Sequence, residues 1–414
     1  MQRYSLLNLV RNAVRGNRDW QPAWRDAKPK RSYDVVVVGG GGHGLATAYY
    51  LAKNHGVRNV AVVEKGWLGG GNSGRNTQVC RSNYFYPASA AFYDQSLKLY
   101  EGLSRELNFN IMLSQRGLLS LAHSEHELEI NRRWANATHM SGVDAEILTP
   151  ADIKKLAPRI NLESRYPILG GFMQRRGGIS RHDAVIWGYA RAASALGVDI
   201  IQNCEVTGFD MSDSRVKGVH TSQGFISADR VVMSVAGHAS VLAQKAGFHL
   251  PISTMALQAM VTEPIKPALD VIVMSAAIHA YVSQSDRGEI VIGGGADPLN
   301  SYAQRGGMPV LQATIAAVIE LFPSFSRLRL MRQWAGMVDV TPDTTPIMGL
   351  TPVEALYINC GWGTGGYKAI PGGGYTMADT IVNNRPHALI DRFGLDRFQS
   401  GALIDEGAAA GVAH

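Results

Sequence analysis

Gly39, Gly41 and Gly44 stand at the spacing G-x-G-x-x-G, and Glu64 follows twenty residues after the last of them. Each position has a physical role in a dinucleotide site. Gly39 permits a tight turn, Gly41 lets a pyrophosphate approach the backbone, and Gly44 lets a helix pack closely on a strand. The carboxylate of Glu64 is placed to accept hydrogen bonds from ribose hydroxyls. A second set of polar groups lies at 66–83, GWLGGGNSGRNTQVCRSN. There Asn72, Arg75, Asn76 and Thr77 offer donors, and Arg75 offers a cation to an anion. A third set lies at 357–374, YINCGWGTGGYKAIPGGG, with Lys368 inside the glycine-rich loop.

These residues act together only if strands and helices deliver them to one place. Tyr33 to Val38 is a short apolar, β-branched run, the composition of a buried parallel strand. It leads into the first glycines, and Leu45 to Lys53 then carries helix formers with one apolar face. A second strand, Asn59 to Val63, ends at Glu64. The helix N-terminus offers free N–H groups and a positive dipole end to phosphates. The loop at 66–83 narrows the cofactor from NAD to FAD, because FAD enzymes of the glutathione-reductase type close such a loop over the pyrophosphate and ribityl chain. Val231 to Val235 reads as a strand ending in Ala236-Gly237-His238, the return to the first glycine loop in such flavoproteins. The glycines before a helix at Tyr375 to Asn383 make a further dipole-competent site, one that points at the flavin N1–C2=O edge in this fold type. The FAD contacts expected on this basis are Gly39, Gly41, Gly42, His43, Gly44, Glu64, Lys65, Asn72, Arg75, Asn76, Thr77, Val79, Val206, Gly237, Gly363, Gly366 and Lys368.

Between these motifs the pattern predicts helices at 88–107, 125–140, 183–196 and 308–321, the last following a run of strands. Thr149 reads as an N-cap with Pro150 in the first turn. Segments 206–219 and 224–228 fit a meander, while 255–262, 278–284 and 289–293 alternate as an antiparallel sheet, and 332–340 is extended. The fold class expected is α/β (α+β): a Rossmann-like FAD-binding domain of the glutathione-reductase type with an interleaved antiparallel-sheet substrate domain. The ranges expected are a basic arm at 1–29, an FAD-binding unit from 30–115, 180–250 and 335–400, a substrate unit from 116–179 and 251–334, and a tail at 401–414.

With 414 residues, 46% of them hydrophobic and 18% charged, the chain is a globular protein large enough for two domains. Its formal net charge of +6 is accounted for by residues 1–31, where eight cations stand against two anions. The body is balanced, so no nucleic-acid surface is implied on it. The arm lacks the apolar core and cleavage site of a secretory signal, and Trp20 and Trp24 read as anchors for a partner. No stretch approaches eighteen apolar residues, so no membrane span is expected. Cys80, Cys204 and Cys360 are odd in number and far apart, which suggests a reducing compartment, the cytoplasm. No Cys/His spacing suggests a metal.

Several longer stretches carry a more specific signal: SYDVVVVGGGGHGLATAYYLAKNHG, VVEKGWLGGGN, RNTQVCRSNY, SQRGLLSLAH, RHDAVIWGYARAA, GVDIIQNCEVTGF, NCGWGTGGYKAIPG and the terminal GALIDEGAAAGVAH. Together they resemble, over nearly the whole chain, the β-subunit family of bacterial heterotetrameric sarcosine oxidases, which are FAD-dependent amine oxidoreductases of the D-amino-acid-oxidase type. A sibling family, N-methylglutamate dehydrogenase, and other secondary-amine oxidoreductase subunits share much of the pattern; GWGTGG favours the sarcosine oxidase side.

The resemblance implies a noncovalent FAD and an FMN at the interface with a large subunit, attached covalently to His182. It implies α, γ and δ partner subunits, and oxidative demethylation of sarcosine to glycine with formaldehyde or 5,10-methylenetetrahydrofolate and hydrogen peroxide. An imidazole suits the linkage because it is a neutral nucleophile at neutral pH. Arg181 stands where the family usually has lysine, able to pair with phosphate, and Arg332 in MRQWAGMVD matches a basic position near the FMN. Arg81 and Lys368 resemble the two cations that clamp the substrate carboxylate, orienting the methyl carbon toward the flavin. His279 and Tyr281 are expected to line the substrate pocket.

Overall fold

Side chains alternate along a strand, so Val35 and Val37 enter one core and Val36 and Val38 another. A parallel strand covered on both faces must read this way. In the computed structural model, which describes residues 5–18, 20 and 22–406, this strand, Ser32–Val38, lies inside an eight-stranded sheet. Parallel neighbours Val60–Val63 and Gly224–Met233 flank it, and Asp199–Ile201 and Leu356–Cys360 continue the parallel order on either side. Ile347–Leu350 closes one edge antiparallel. Strands Val206–Ser212 and Arg215–Thr221 form a meander on the first half of Gly224–Met233. Helices Gly42–Asn54, Pro87–Glu106, His182–Ala195 and Ile370–Asn383 bury one face, and Ala239–Lys245 with the meander buries the other. This is the Rossmann-like unit.

A second eight-stranded sheet runs in the order 330–340, 253–264, 289–300, 280–284, 272–275, 118–122, 170–174 and 146–148. It is antiparallel except where Ile272–Ser275 runs parallel to Leu118–Ala122. Helix Met308–Leu321 packs into its core, and Thr149 and Asp152 close a reciprocal capping box on Pro150–Leu156.

The structure departs from the sequence reading at several points. Gly224–Met233 is one continuous strand rather than two, because its halves serve different neighbours. Strand Leu330–Val340 pairs along its whole length with Ser253–Pro264, so it crosses the boundary expected at 335. The helix expected from Tyr375 begins at Ile370. Gly372, Gly373 and Gly374 therefore lie inside it, where a Cβ would come within 2.8 Å of Ser96 Cβ, 2.7 Å of His43 Nδ1 and 2.4 Å of Ala46 Cβ. Those glycines let helices touch and form no phosphate loop.

The arm is only partly an arm. Ser5 caps a helix at Leu6–Val14, none of whose residues is buried. Beyond it, Arg25 and Lys30 both pair with Asp199, and Trp24 packs against the chain's own core. Trp20 stays 70% exposed. Asp19, residues 1–4 and the end of the tail from 407 lie outside the described residues. Among the described residues no helix is long and apolar enough to cross a membrane, and the three cysteines are buried and free.

Candidate functional site

A cavity of about 480 Å³ is lined from both sheets. At one end stands the glycine turn. Gly39 adopts φ +110°, and a Cβ there would lie 2.3 Å from the carbonyl oxygen of Ser234. Gly44 is as constrained, its virtual Cβ 2.0 Å from the Gly39 carbonyl, so it packs helix on strand and is not on the cavity wall. Glu64 accepts from the N–H of Gly40 (2.8 Å) and of Gly66 (2.9 Å), which fixes its carboxylate between the two loops on the wall. Lys65, Val79, Val206 and Gly237 line the same space, as do Gly41, Gly42, Gly363 and Gly366.

His43 is held by two contacts. Its Nε2 donates to the carbonyl of Gly366 (2.8 Å), and its ring stacks on Trp362 at 4.4 Å. Burial pushes its pKa down to about 4, so the ring is neutral. Its Nδ1 is left buried without a hydrogen-bond partner, and so is Asn72 Oδ1. Asn72 Nδ2, by contrast, donates to the Met337 carbonyl. A buried acceptor without a donor is costly, and the ribityl hydroxyls of a flavin dinucleotide would supply that donor to Asn72. The cradle at Gly39–His43, the fixed Glu64 and this orphaned acceptor fit FAD.

Other residues of the second loop behave differently from expectation. Arg75 turns away from an anion role. Its guanidinium donates to the carbonyls of Gly70 and Gly71 and to Gln304 Oε1 (2.8 Å), tying the loop down. Asn76 spends its amide on the Ser73 carbonyl (2.5 Å), and its Oδ1 accepts from Gln78 N (2.7 Å). The Ser73 hydroxyl, not singled out from sequence, accepts from Gly42 N (2.9 Å). Thr77 Oγ1 meets Tyr281 OH at 2.6 Å, joining this loop to the second sheet.

Arg81, Lys368 and Tyr281 share the cavity wall. Arg81 is buried, with NH1 donating to Asn83 Oδ1 (2.9 Å) and its guanidinium 4.5 Å from the centre of the Tyr84 ring. Lys368 follows Gly366 in the single 3-10 turn Tyr367–Ala369 and donates from Nζ to the Thr364 carbonyl (3.0 Å). Burial, and then the charge of Arg81, hold its pKa well below the ordinary lysine value. Burial raises the Tyr281 hydroxyl to about 12, so it remains a donor.

The remaining expected residues lie elsewhere. His279 sits in an exposed turn at φ +46° and does not line the cavity, because the strand it was expected to join starts only at Ala280. His182 opens helix His182–Ala195 outside the cavity, its Nδ1 buried and unpartnered. Burial lowers its pKa, and so does neighbouring Arg181, while Asp183 opposes them. Arg181 is engaged by Asp183 through two hydrogen bonds of 3.1 and 2.6 Å. Arg332 is exposed on the second sheet, away from the cavity wall. A further group on the wall also carried no sequence signal. Asp339 is buried, accepts from Gly361 N (2.5 Å), and is raised to about 7 by that burial.

The family model described as FAD dependent oxidoreductase matches residues 34–380. The chain is 54% identical over 415 residues to sarcosine oxidase subunit beta of Rhodobacter capsulatus, covering 100% of both chains. It is 53% identical to sarcosine oxidase subunit beta of an Arthrobacter species, covering 94% of this chain and 97% of that one. Among solved structures it is similar to L-proline dehydrogenase from P. horikoshii, with a TM-score of 0.85 at 26% identity, covering 91% of this chain and 100% of the other.

Proposed function

The chain belongs to the FAD dependent oxidoreductase family and to its sarcosine oxidase β-subunit branch, and we propose that it carries the FAD-dependent oxidation of sarcosine within a larger assembly. The observation that carries this reading is the meeting of Arg81 and Lys368 on the wall that also bears the glycine turn and Glu64. Sarcosine offers a carboxylate, a secondary amine and one methyl group. Arg81 and Lys368 take the carboxylate, and that anchorage converts loose binding into a reactive pose. Gly39–His43, Glu64 and Asn72 would hold FAD, which when bound would supply the two-electron acceptor for the methyl C–N unit.

The amine must be neutral to react, and Lys368 Nζ, held toward its neutral form before substrate arrives, can take the released proton. The arriving carboxylate then favours the ammonium form of Lys368. Tyr281, fixed by Thr77, walls the pocket and keeps water from the reacting carbon. Hydrolysis of the resulting imine gives glycine and formaldehyde, or the carbon passes to tetrahydrofolate on a partner subunit. Oxygen is the final acceptor, giving hydrogen peroxide.

The assembly is a heterotetramer with α, γ and δ subunits, in the cytoplasm. His182 is the tether of an FMN shared with the large subunit. Its neutral imidazole and unpartnered Nδ1 support that role, with Arg181 beside it and Arg332 as a further cation near the group. The exposed helix Leu6–Val14 and Trp20 dock to a partner. The FAD-binding unit comprises 30–115, 180–250 and 341–400, and the substrate unit 116–179 and 251–340.

The test is anaerobic reduction of the FAD in the purified complex by sarcosine, N-methylglutamate and dimethylglycine. Sarcosine should reduce it fastest. Preference for N-methylglutamate, with no turnover of sarcosine in air, would assign the chain to the dehydrogenase branch instead.

A further inference from the structure

Arg81 and Lys368 are far apart in the chain and reach the cavity wall from different elements. Each follows a buried residue, Cys80 and Tyr367, and these two meet at one side chain, Ser180. Cys80 belongs to the two-stranded ladder in which Val79–Cys80 pairs with Gly178–Ile179. Ser180 comes directly after that ladder, and its N–H donates to the Gln78 carbonyl (3.1 Å). Its hydroxyl lies 3.4 Å from Cys80 Sγ and 2.7 Å from Tyr367 OH. Tyr367 OH also donates to the Ser180 carbonyl (3.1 Å).

The protons in this group fall into one directed chain. Burial pushes the Cys80 thiol up to about 12, so it keeps its hydrogen and can donate to Ser180 Oγ. Ser180 Oγ then donates to Tyr367 OH, whose own hydrogen goes to the Ser180 carbonyl. Helix Pro87–Glu106 holds the backbone of the same turn, with Tyr100 OH donating to the Tyr367 carbonyl (2.6 Å) and Ser96 Oγ to the Lys368 carbonyl (2.7 Å). Those bonds tie the turn to a helix, whereas Ser180 ties it to the segment that carries Arg81.

We propose that Ser180 is a positioning residue of the carboxylate clamp, fixing Lys368 relative to Arg81 through the Tyr367 hydroxyl. This rests on the reading of Arg81 and Lys368 as that clamp. Two cations that converge on one carboxylate repel each other at short range. Holding them there requires a firm connection between the two segments that bear them. Ser180 supplies it from outside the cavity, whose wall it does not join, so it acts only through its neighbours. Without its hydroxyl the turn is free to shift against the Arg81 segment, and a small misplacement of a binding group weakens both capture and the reactive pose.

The test titrates methoxyacetate, an unreactive carboxylate of sarcosine's size, against the flavin absorbance of the assembled FAD-loaded complex at one fixed pH. Ser180→Ala should weaken its binding about three- to tenfold, within the range that one lost hydrogen bond carries. Tyr367→Phe, which removes the partner hydroxyl and adds no volume, should weaken it similarly. The two together should do little more than either alone, since both break the same bond. In a Lys368→Met background Ser180→Ala should change the affinity less than about twofold, because the group it positions is gone. Native affinity in Ser180→Ala, or a full effect that persists without Lys368, would overturn the proposal. If Ser180→Ala does not assemble, Tyr367→Phe carries the same comparison with Lys368→Met, and its native affinity or an undiminished effect counts equally against the idea. Lys368→Met alone separates the two readings: if it binds methoxyacetate as the native complex does, the clamp assignment itself fails. Weakened binding there, with native binding in both hydroxyl variants, removes the role of Ser180 and leaves the clamp.

Discussion

Arg397 and Asp343 form a two-pronged ion pair in the interior, Nε to Oδ2 at 2.7 Å and NH2 to Oδ1 at 3.0 Å, with side chains 3% and 2% exposed. Arg397 also donates to the carbonyls of Phe393 and Thr345, and Asp343 accepts from Ile404 N. The pair thus fastens the last helical turn and the tail to the loop that follows strand Leu330–Val340.

Breaking this pair from one side strands a buried charge, which costs about 3–5 kcal/mol. Arg397→Met should therefore lower the thermal transition markedly and expose the tail to proteolysis. Arg397→Met with Asp343→Asn should recover part of the loss. Burial alone would raise the Asp343 carboxyl, but the hydrogen bonds and charge of Arg397 bring it below its ordinary value. A depressed carboxyl adds stability that is present above about pH 4 and is lost as pH falls through the folded-state value. Native protein should lose stability there, and the double variant should show a flatter acid limb. A single Arg397→Met variant as stable as the native protein would show that the pair holds nothing.

His182 yields a prediction that does not depend on turnover. Its imidazole is neutral, with Nδ1 unpartnered at the start of a helix. If it is the FMN tether, acid-precipitated complex should stay yellow, and the flavin should travel with a peptide containing His182. His182→Ala should release FMN and keep FAD, since the cavity that fits FAD does not include this residue. Complete release of flavin from the native complex by acid would remove the assignment.

The glycine turn, Glu64 and the parallel strand were legible because each depends on neighbours close in sequence. The same locality misleads at Gly372–Gly374: a glycine that admits a helix and one that admits a phosphate look alike until the partner is known. Arg75 and Asn76 have the right chemistry for a ligand, but their nearest acceptors are the carbonyls of their own loop. His279 alternates correctly with Tyr281, yet a turn with left-handed backbone intervenes before the strand. Asp339 was invisible because tertiary contacts alone bring a strand end to the cavity wall. Arg25, Trp24 and Lys30 read as a free arm for the same reason, since Asp199 lies far along the chain.

The proposed substrate clamp of Arg81 and Lys368 is what would separate a working oxidase site from a subunit that merely stores flavin. Sarcosine is small, so its carboxylate must supply most of the recognition. A hydrogen bond to a charged group contributes about 1.5–3 kcal/mol, and one strengthened in the reacting geometry acts on the chemical step. Arg81→Ala and Lys368→Ala should each slow anaerobic flavin reduction by sarcosine roughly ten- to a hundredfold, at 1.36 kcal/mol per decade. FAD should remain bound in both. Arg81→Lys should recover only part, because an ammonium lacks the guanidinium fork and cannot stack on Tyr84 in the same way. Lys368 adds a pH signature. Burial and Arg81 favour its neutral form, so pairing with a carboxylate requires proton uptake. Methoxyacetate should therefore bind less tightly as pH rises through the Lys368 value, and Lys368→Met should lose that part of the slope. Anaerobic stopped-flow reduction measures the first effect, and titration of the flavin absorbance with methoxyacetate, which has an ether oxygen where sarcosine has its amine, measures the second across a pH series. Near-native reduction rates in the two alanine variants would move the substrate site away from Arg81 and Lys368.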